Sequence, residues 1–286
     1  MKKSNQLLQP AVFVLSLCIV MLSCQKINRP ELGDYTKDAN PPGGPLKFYT
    51  AFDGSGSDKL MNAVDSIRAT FPSDNPFTSV AGITGKGAQG TAAKDKAIKY
   101  PSANDFAKST SITVAYWMKN VPATDGEPEF HFSLPSKDFW HESAMFLLVE
   151  KGGPNADNSS AAGMACTFAV MDNWVEFRGP NKLPNVLNGN WHHVAFVYDE
   201  TTSKVTAFVD GTAVPYTGTG NSIGIGKLKF NNINNFVLGG WNKHASGTGG
   251  AQDPWIHAFS GTMDQFRLYG KALSASEILA LYNSKL

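Results

Sequence analysis

The sequence predicts an all-β fold: two antiparallel sheets packed as a sandwich, with one short C-terminal helix. Short apolar or alternating segments recur along the chain, and clusters of Gly, Asn, Asp and Pro separate them. Only one segment has convincing helical periodicity, and many strands with one helix require sheet-on-sheet packing.

The chain opens with Lys2 and Lys3, continues with the apolar run Ala11 to Leu22 and ends that run at Ser23-Cys24. Such a run is too short to span a bilayer, and residues 1–23 read as a lipoprotein signal peptide. Val20-Met21-Leu22-Ser23-Cys24 resembles a bacterial lipoprotein box, which makes Cys24 the lipidated residue. Cys18 is the weaker candidate, because it follows bulky Leu17 inside the apolar run. Residues 24–45 are polar and end in Asn40-Pro41-Pro42-Gly43-Gly44-Pro45, a flexible tether with a reach on the order of 25 Å. A lipid anchor places the protein at the cell envelope, on the outer membrane, with the periplasmic or surface side left open. Cys166 is then the remaining thiol, packed among Met164 to Met171 and unable to form an internal disulfide.

Lys and Arg total 25 against 24 Asp and Glu. A near-neutral chain does not steer towards nucleic acid or anionic lipid.

From Leu46 to Leu286 no second linker and no repeat appears, so residues 46–286 form one domain. Strands are expected at Leu46 to Phe52, Ser111 to Lys119, Ala144 to Glu150, Cys166 to Met171, Asn173 to Arg178, Trp191 to Asp199, Lys204 to Asp210, Asn235 to Leu238 and Ala258 to Tyr269. In Ser111 to Lys119, Ile112, Val114, Tyr116 and Met118 share one face, which predicts one buried side. Trp191 to Asp199 is apolar in both alternating sets and predicts a strand covered on both sides. Asp210-Gly211 supplies a tight hairpin turn. Ser274 and Glu277 form a capping box ahead of Ile278, Leu279 and Tyr282, which share one helical face that docks on the sandwich.

Three segments in order carry a family resemblance: Ser111 to Lys119; Trp191-His192-His193-Val194-Ala195-Phe196-Val197-Tyr198-Asp199 with Phe208-Val209-Asp210-Gly211; and Phe259 to Tyr269 running into Ala272-Leu273-Ser274. With Phe52-Asp53-Gly54 they resemble the laminin G-like jelly roll of the concanavalin A-like lectin/glucanase superfamily. That resemblance implies a jelly-roll sandwich. It does not select a function, because lectins, glycan-binding modules, glycosidases, lyases and adhesion domains share the fold. The stretch Val121 to Ser143 departs from the shortest members of the family as an insertion rich in aromatics and acids, placed in a loop, and loops of this kind carry function.

Strict alternation puts Asp264 on the face of Phe266 and Leu268, where a lone carboxylate is costly. The resemblance implies calcium held by Asp53 and Asp264, and hard oxygen donors suit that ion. Alternatively, a salt bridge or backbone N–H groups from a neighbouring loop satisfy Asp264. For sugar, flat aromatic faces flanked by polar groups are needed. Trp140 with His141, Trp241, and Trp255 with His257 stand in polar or Gly-rich loop sequence, and Trp174 alternates with Glu176 and Arg178 on one strand. Against this, each Trp can simply plug an edge of the sandwich, and Trp117 and Trp191 read as core.

The Glu-x-Asp-x-x-Glu strand of the family's glucanases does not occur, and Glu127-x-Glu129 falls beside Pro128 in the insertion. The expectation is a non-catalytic, carbohydrate-binding envelope lipoprotein whose partner is a polysaccharide or glycoconjugate. The alternatives are a structural or protein-interaction domain and, behind it, a glycoside hydrolase or polysaccharide lyase.

Overall fold

The computed structural model describes residues 44–54, 76–91, 96–122, 127–135, 139–151, 163–231, 233, 235–246, 253 and 255–285. The signal peptide, Cys24, the tether up to residue 43, and residues 55–58 after the Asp-Gly turn lie outside the described residues.

In chain order the strands are β1 (Leu46–Thr50), β2 (Thr78–Ala81), β3 (Lys86–Gln89), β4 (Ile98–Tyr100), β5 (Ile112–Lys119), β6 (Glu129–Leu134), β7 (Met145–Glu150), β8 (Ala165–Val170), β9 (Asn173–Phe177), β10 (Trp191–Asp199), β11 (Lys204–Val209), β12 (Thr212–Ala213), β13 (Phe236–Leu238), β14 (His257–Ala258) and β15 (Thr262–Tyr269). Among the described residues the first sheet runs β12-β11-β10-β5-β15-β3-β2, with β1 also on β15. The second runs β4-β13-β6-β7-β8-β9, with the short parallel strand β14 also on β6. The two sheets pack face to face around an aromatic core, in which the rings of Phe168 (β8) and Phe196 (β10) stack at 5.2 Å.

Local sequence explains the elements. Asp210 and Gly211 both adopt positive φ, 49° and 79°, as a two-residue hairpin turn between β11 and β12 demands. The C-terminal helix Ala275–Ser284 starts at the expected capping box, with Ser274 and Glu277 bonding each other's backbone. It covers the outer face of the first sheet: Ile278 is buried, and Tyr282 stacks on Trp117 with centroids 5.5 Å apart. Leu279 instead stays exposed, lying beside the Gly211 turn. Because the helix lies there, β5 is buried on both faces, and Thr113, Ala115 and Trp117 are as enclosed as Ile112 and Val114.

Three other expectations are corrected. The insertion is not a plain loop, since Glu129–Leu134 forms β6 in the middle of the second sheet. Its alternation was masked by a register irregularity between Phe130 and Phe132. A second helix, Asn242–Ser246, follows Trp241 where only loop was expected. Trp191 is half-buried rather than core, with the Lys119 ammonium 5.6 Å from its ring centre.

Candidate functional site: an aromatic patch on the second sheet

The outer face of the second sheet has a cover of its own. Phe130 of β6, Phe146 and Leu148 of β7 and Ala169 of β8 project away from the main core and pack with Trp140, Trp241 and Ile256 from the connecting segments. The insertion thus supplies both a central strand and one ring of the lid over it, Trp140.

At the edge of this cover the aromatics reach the surface. Trp140, only 7% exposed, is the hub. Its ring centre lies 5.7 Å from Trp174 at a tilt of 43° and 5.8 Å from Trp255 nearly at right angles. Trp174 is 43% exposed, Trp255 41% and Phe139 40%, values unusual for side chains of this size in one cluster. Phe139 stacks on exposed His141 at 5.7 Å, and His141 stands edge-on to Trp140. The indole Nε1–H of Trp140 donates to Asp253 Oδ2 at 2.5 Å, which fixes the hub ring. On β9, Trp174 and Glu176 share the outward face, and Arg178 donates through Nη1 to Glu176 at 2.7 Å and through Nη2 to Glu150 of β7.

Four of the residues expected to bind sugar therefore come together: Trp140, His141, Trp174 and Trp255. Trp241 does not belong to the surface, since at 3% exposure it packs beneath the patch as a plug. A Gly-rich context does not distinguish a ring that faces solvent from one that the chain folds under itself. His257 is half-buried, its Nε2 against the Glu127 carboxylate beside β6. Sequence reasoning missed Phe139, Asp253 and Glu150 as neighbours of the patch. Period-two spacing of Glu150 from Phe146 and Leu148 was the available signal for the last of them.

Asp53 and Asp264 also converge, on a different face. A bulge at Gln265, with φ of 49°, breaks the alternation of β15, so Met263, Phe266 and Leu268 enter the main core. Asp264 pairs across from Trp117 and faces outward, correcting the expectation that it shares the face of Phe266. It is nonetheless fully buried, under the turn between β2 and β3. Asp264 Oδ2 accepts the N–H of Ile83 at 2.9 Å and of Thr84 at 3.4 Å, while Asp53 Oδ1 accepts the N–H of Lys86 at 2.8 Å. Backbone groups thus satisfy one oxygen of Asp264, and its Oδ1 is buried with no hydrogen-bond partner. Burial pushes the Asp264 carboxyl up to about 7, against the pull of the Thr84 and Ile83 N–H groups and with the help of the Asp53 charge.

Solved structures with the same fold include domain 4 of AbnA, an extracellular arabinanase from Geobacillus stearothermophilus, in complex with arabinotriose. It is 19% identical with a TM-score of 0.54, over 83% of this chain and 98% of that one. The Trypanosoma rangeli sialidase is 15% identical with a TM-score of 0.54; the match covers 84% of this chain but 33% of the sialidase. The binding domain of Paraclostridial Mosquitocidal Protein 1 is 13% identical with a TM-score of 0.55, over 84% of this chain and 52% of that one. No curated protein sequence matches the chain. At these identities the structures establish the shared sandwich. The laminin G family model matches residues 91–279, more than half of the sequence, and the chain belongs to the concanavalin A-like lectin/glucanase superfamily.

Proposed function

We propose that the protein is a non-catalytic carbohydrate-binding lipoprotein of the bacterial cell envelope, anchored on the outer membrane through Cys24, that holds a polysaccharide or glycoconjugate against the patch around Trp140. The observation that carries this is the pair of exposed indoles, Trp174 and Trp255, both in ring contact with one buried hub. Exposed rigid rings of this kind offer apolar faces to the C–H surfaces of a sugar, and the neighbouring carboxylates can accept its hydroxyls. The arabinotriose complex of the arabinanase domain is in keeping with that use of the fold. Glu150 and Glu176 converge as well, but both are engaged by Arg178 rather than offered to a glycosidic oxygen, so the patch supports binding rather than hydrolysis.

Trp174→Ala and Trp255→Ala should each weaken retention in polysaccharide affinity gels at least tenfold, because a stacked ring contributes contact area to the ligand and little to the core. Melting temperatures should stay within about 2–4 °C of wild type, the shift that about 1 kcal/mol produces in a domain of this size. Unchanged retention in both variants would exclude the patch as the sugar site. Cys24→Ala should abolish metabolic palmitate labelling and membrane association, and labelling that persists would refute the anchor.

Calcium is proposed at the second site on one structural ground. The unpartnered, buried Asp264 Oδ1 beside the Asp53 carboxylate is a hard oxygen donor set that a cation would satisfy. Among the described residues no group of three His, Cys, Asp or Glu side chains gathers, so backbone or hydroxyl oxygens near Asp53 would complete the shell. A bound ion would clamp the turn between β2 and β3 to β15. Melting should rise by several degrees in millimolar calcium and fall with chelator, since a ligand at 100 times its Kd adds about 2.7 kcal/mol. Asp264→Asn should remove that dependence; a wild-type curve that calcium and chelator leave unmoved would show the backbone N–H groups to be the whole of the site.

A further inference from the structure

Strand register sets three rows on the outer face of β7, β8 and β9. Phe146, Ala169 and Trp174 pair across the first, and Leu148, Thr167 and Glu176 across the second. The third holds Glu150 opposite Ala165, with Arg178 next to the paired Phe177. Rows two residues apart along a strand lie about 7 Å from one another. The first row ends in the Trp174 platform. The next two lend Leu148 to the aromatic cover, and their other large side chains, Thr167, Glu176, Glu150 and Arg178, are polar.

Those rows contain groups whose bonding is incomplete. Thr167 Oγ1, Glu150 Oε2 and Arg178 Nε are buried and without a hydrogen-bond partner, and Thr167 and Glu150 are both more than nine-tenths buried. Buried polar atoms are nearly always satisfied, so three orphans in adjacent rows mark a place where something else supplies the bonds. Charge narrows what that is. Nη1 and Nη2 of Arg178 donate to Glu176 and Glu150, so the guanidinium charge is already paired with two carboxylates. With Asp253 at the hub, three carboxylates face one guanidinium, a net negative balance among the described residues whose contacts place them here.

We infer that Glu150, Thr167, Glu176 and Arg178 form a hydroxyl-reading subsite beside Trp174 that admits neutral glycans and excludes those bearing carboxylates or sulfates. The inference rests on the carbohydrate reading above. Carboxylate oxygens accept bonds from sugar O–H groups, the Thr167 hydroxyl can donate or accept, and an anionic glycan would meet repulsion from Glu150 and Glu176, which outnumber the one guanidinium that pairs them.

The test is affinity electrophoresis of the purified protein in gels of neutral polysaccharides and of the same polysaccharides carboxymethylated, at low and high salt. Neutral gels should retain the protein, and carboxymethylation should reduce retention at least tenfold at low salt and less at high salt, where charge is screened. Thr167→Val should lower retention three- to tenfold without lowering the melting temperature, because the hydroxyl it removes has no partner in the protein. Glu176→Gln should narrow the gap between the neutral and carboxymethylated gels. Equal retention by both gels, with Trp174→Ala still abolishing it, would overturn the selectivity while leaving sugar binding in place. Retention by no gel, or retention that Trp174→Ala leaves intact, would overturn both.

Discussion

Glu129→Ala is expected to destabilise the protein by roughly 3–5 kcal/mol, the usual cost of breaking a buried ion pair from one side. Glu129 opens β6 and is almost wholly buried. Its Oε1 accepts from Asn120 Nδ2 at 2.7 Å and from His131 Nε2 at 3.1 Å, and its Oε2 from the N–H of Ser260 at 3.0 Å, its hydroxyl at 2.6 Å and the Lys151 ammonium at 3.3 Å. An ionised carboxylate only accepts, so His131 donates through Nε2 and takes the Tyr116 hydroxyl on Nδ1 at 2.7 Å. The carboxylate therefore ties β6 to the ends of β5 and β7 and to the entry of β15. Denaturant titration measures the loss, and a variant within about 1 kcal/mol of wild type would show the network to be dispensable.

The same residue predicts an acid limb. Burial opposes the Glu129 charge, but the His131 bond, the Lys151 ammonium and Ser260 outweigh it and hold the carboxyl at about 2, below an ordinary 4.5. A depressed carboxyl pKa contributes stability that is complete above pH 4.5 and is lost as pH falls towards 2, about 3 kcal/mol in all. Burial, aided by Arg267 and opposed by Asp210, takes His193 down to about 3, and burial also lowers His131. Their share is present above pH 6.5 and is lost in the same acid direction. Glu129→Gln should make the limb shallower below pH 4.5 and leave in place the His193 part, which runs from pH 6.5 down to about 3.

How much of this was legible in the sequence divides along a physical line. Periodicity reports which face of a strand is apolar, so β5, β10 and the hairpin at Asp210-Gly211 could be read directly, as could the capped helix. It fails where the backbone slips by one residue. The bulge at Gln265 turned Asp264 to the opposite face, and the irregularity at Phe130 to Phe132 hid β6 inside an apparent loop. Of the candidate site, the residue types were legible and their depth was not. Trp174 could be placed outward because it alternates with Glu176 and Arg178, whereas Trp140, Trp241 and Trp255 come from three separate segments whose order of burial is set only when they stack over Phe130 and Phe146.

That difference in depth yields the second large effect. Trp117→Ala should cost roughly 3–5 kcal/mol, because its ring lies buried between β5 and the C-terminal helix, stacked on Tyr282 and edge-on to His193 at 5.3 Å. Trp241→Ala should fall in the same range, since the ring is enclosed with Phe130, Trp140 and Ile256 and its loss would leave a cavity beneath the patch. Trp255→Ala, on the exposed side of the same cluster, should cost about 1 kcal/mol or less. The three variants separate depth from residue type, because each deletes one indole. In thermal or denaturant unfolding, Trp241→Ala grouping with Trp255→Ala rather than with Trp117→Ala would mean that the cover over the second sheet is loosely packed. The rigid hub at Trp140 would then lose its physical basis, and with it the fixed spacing of Trp174 and Trp255 on which a shaped sugar platform depends.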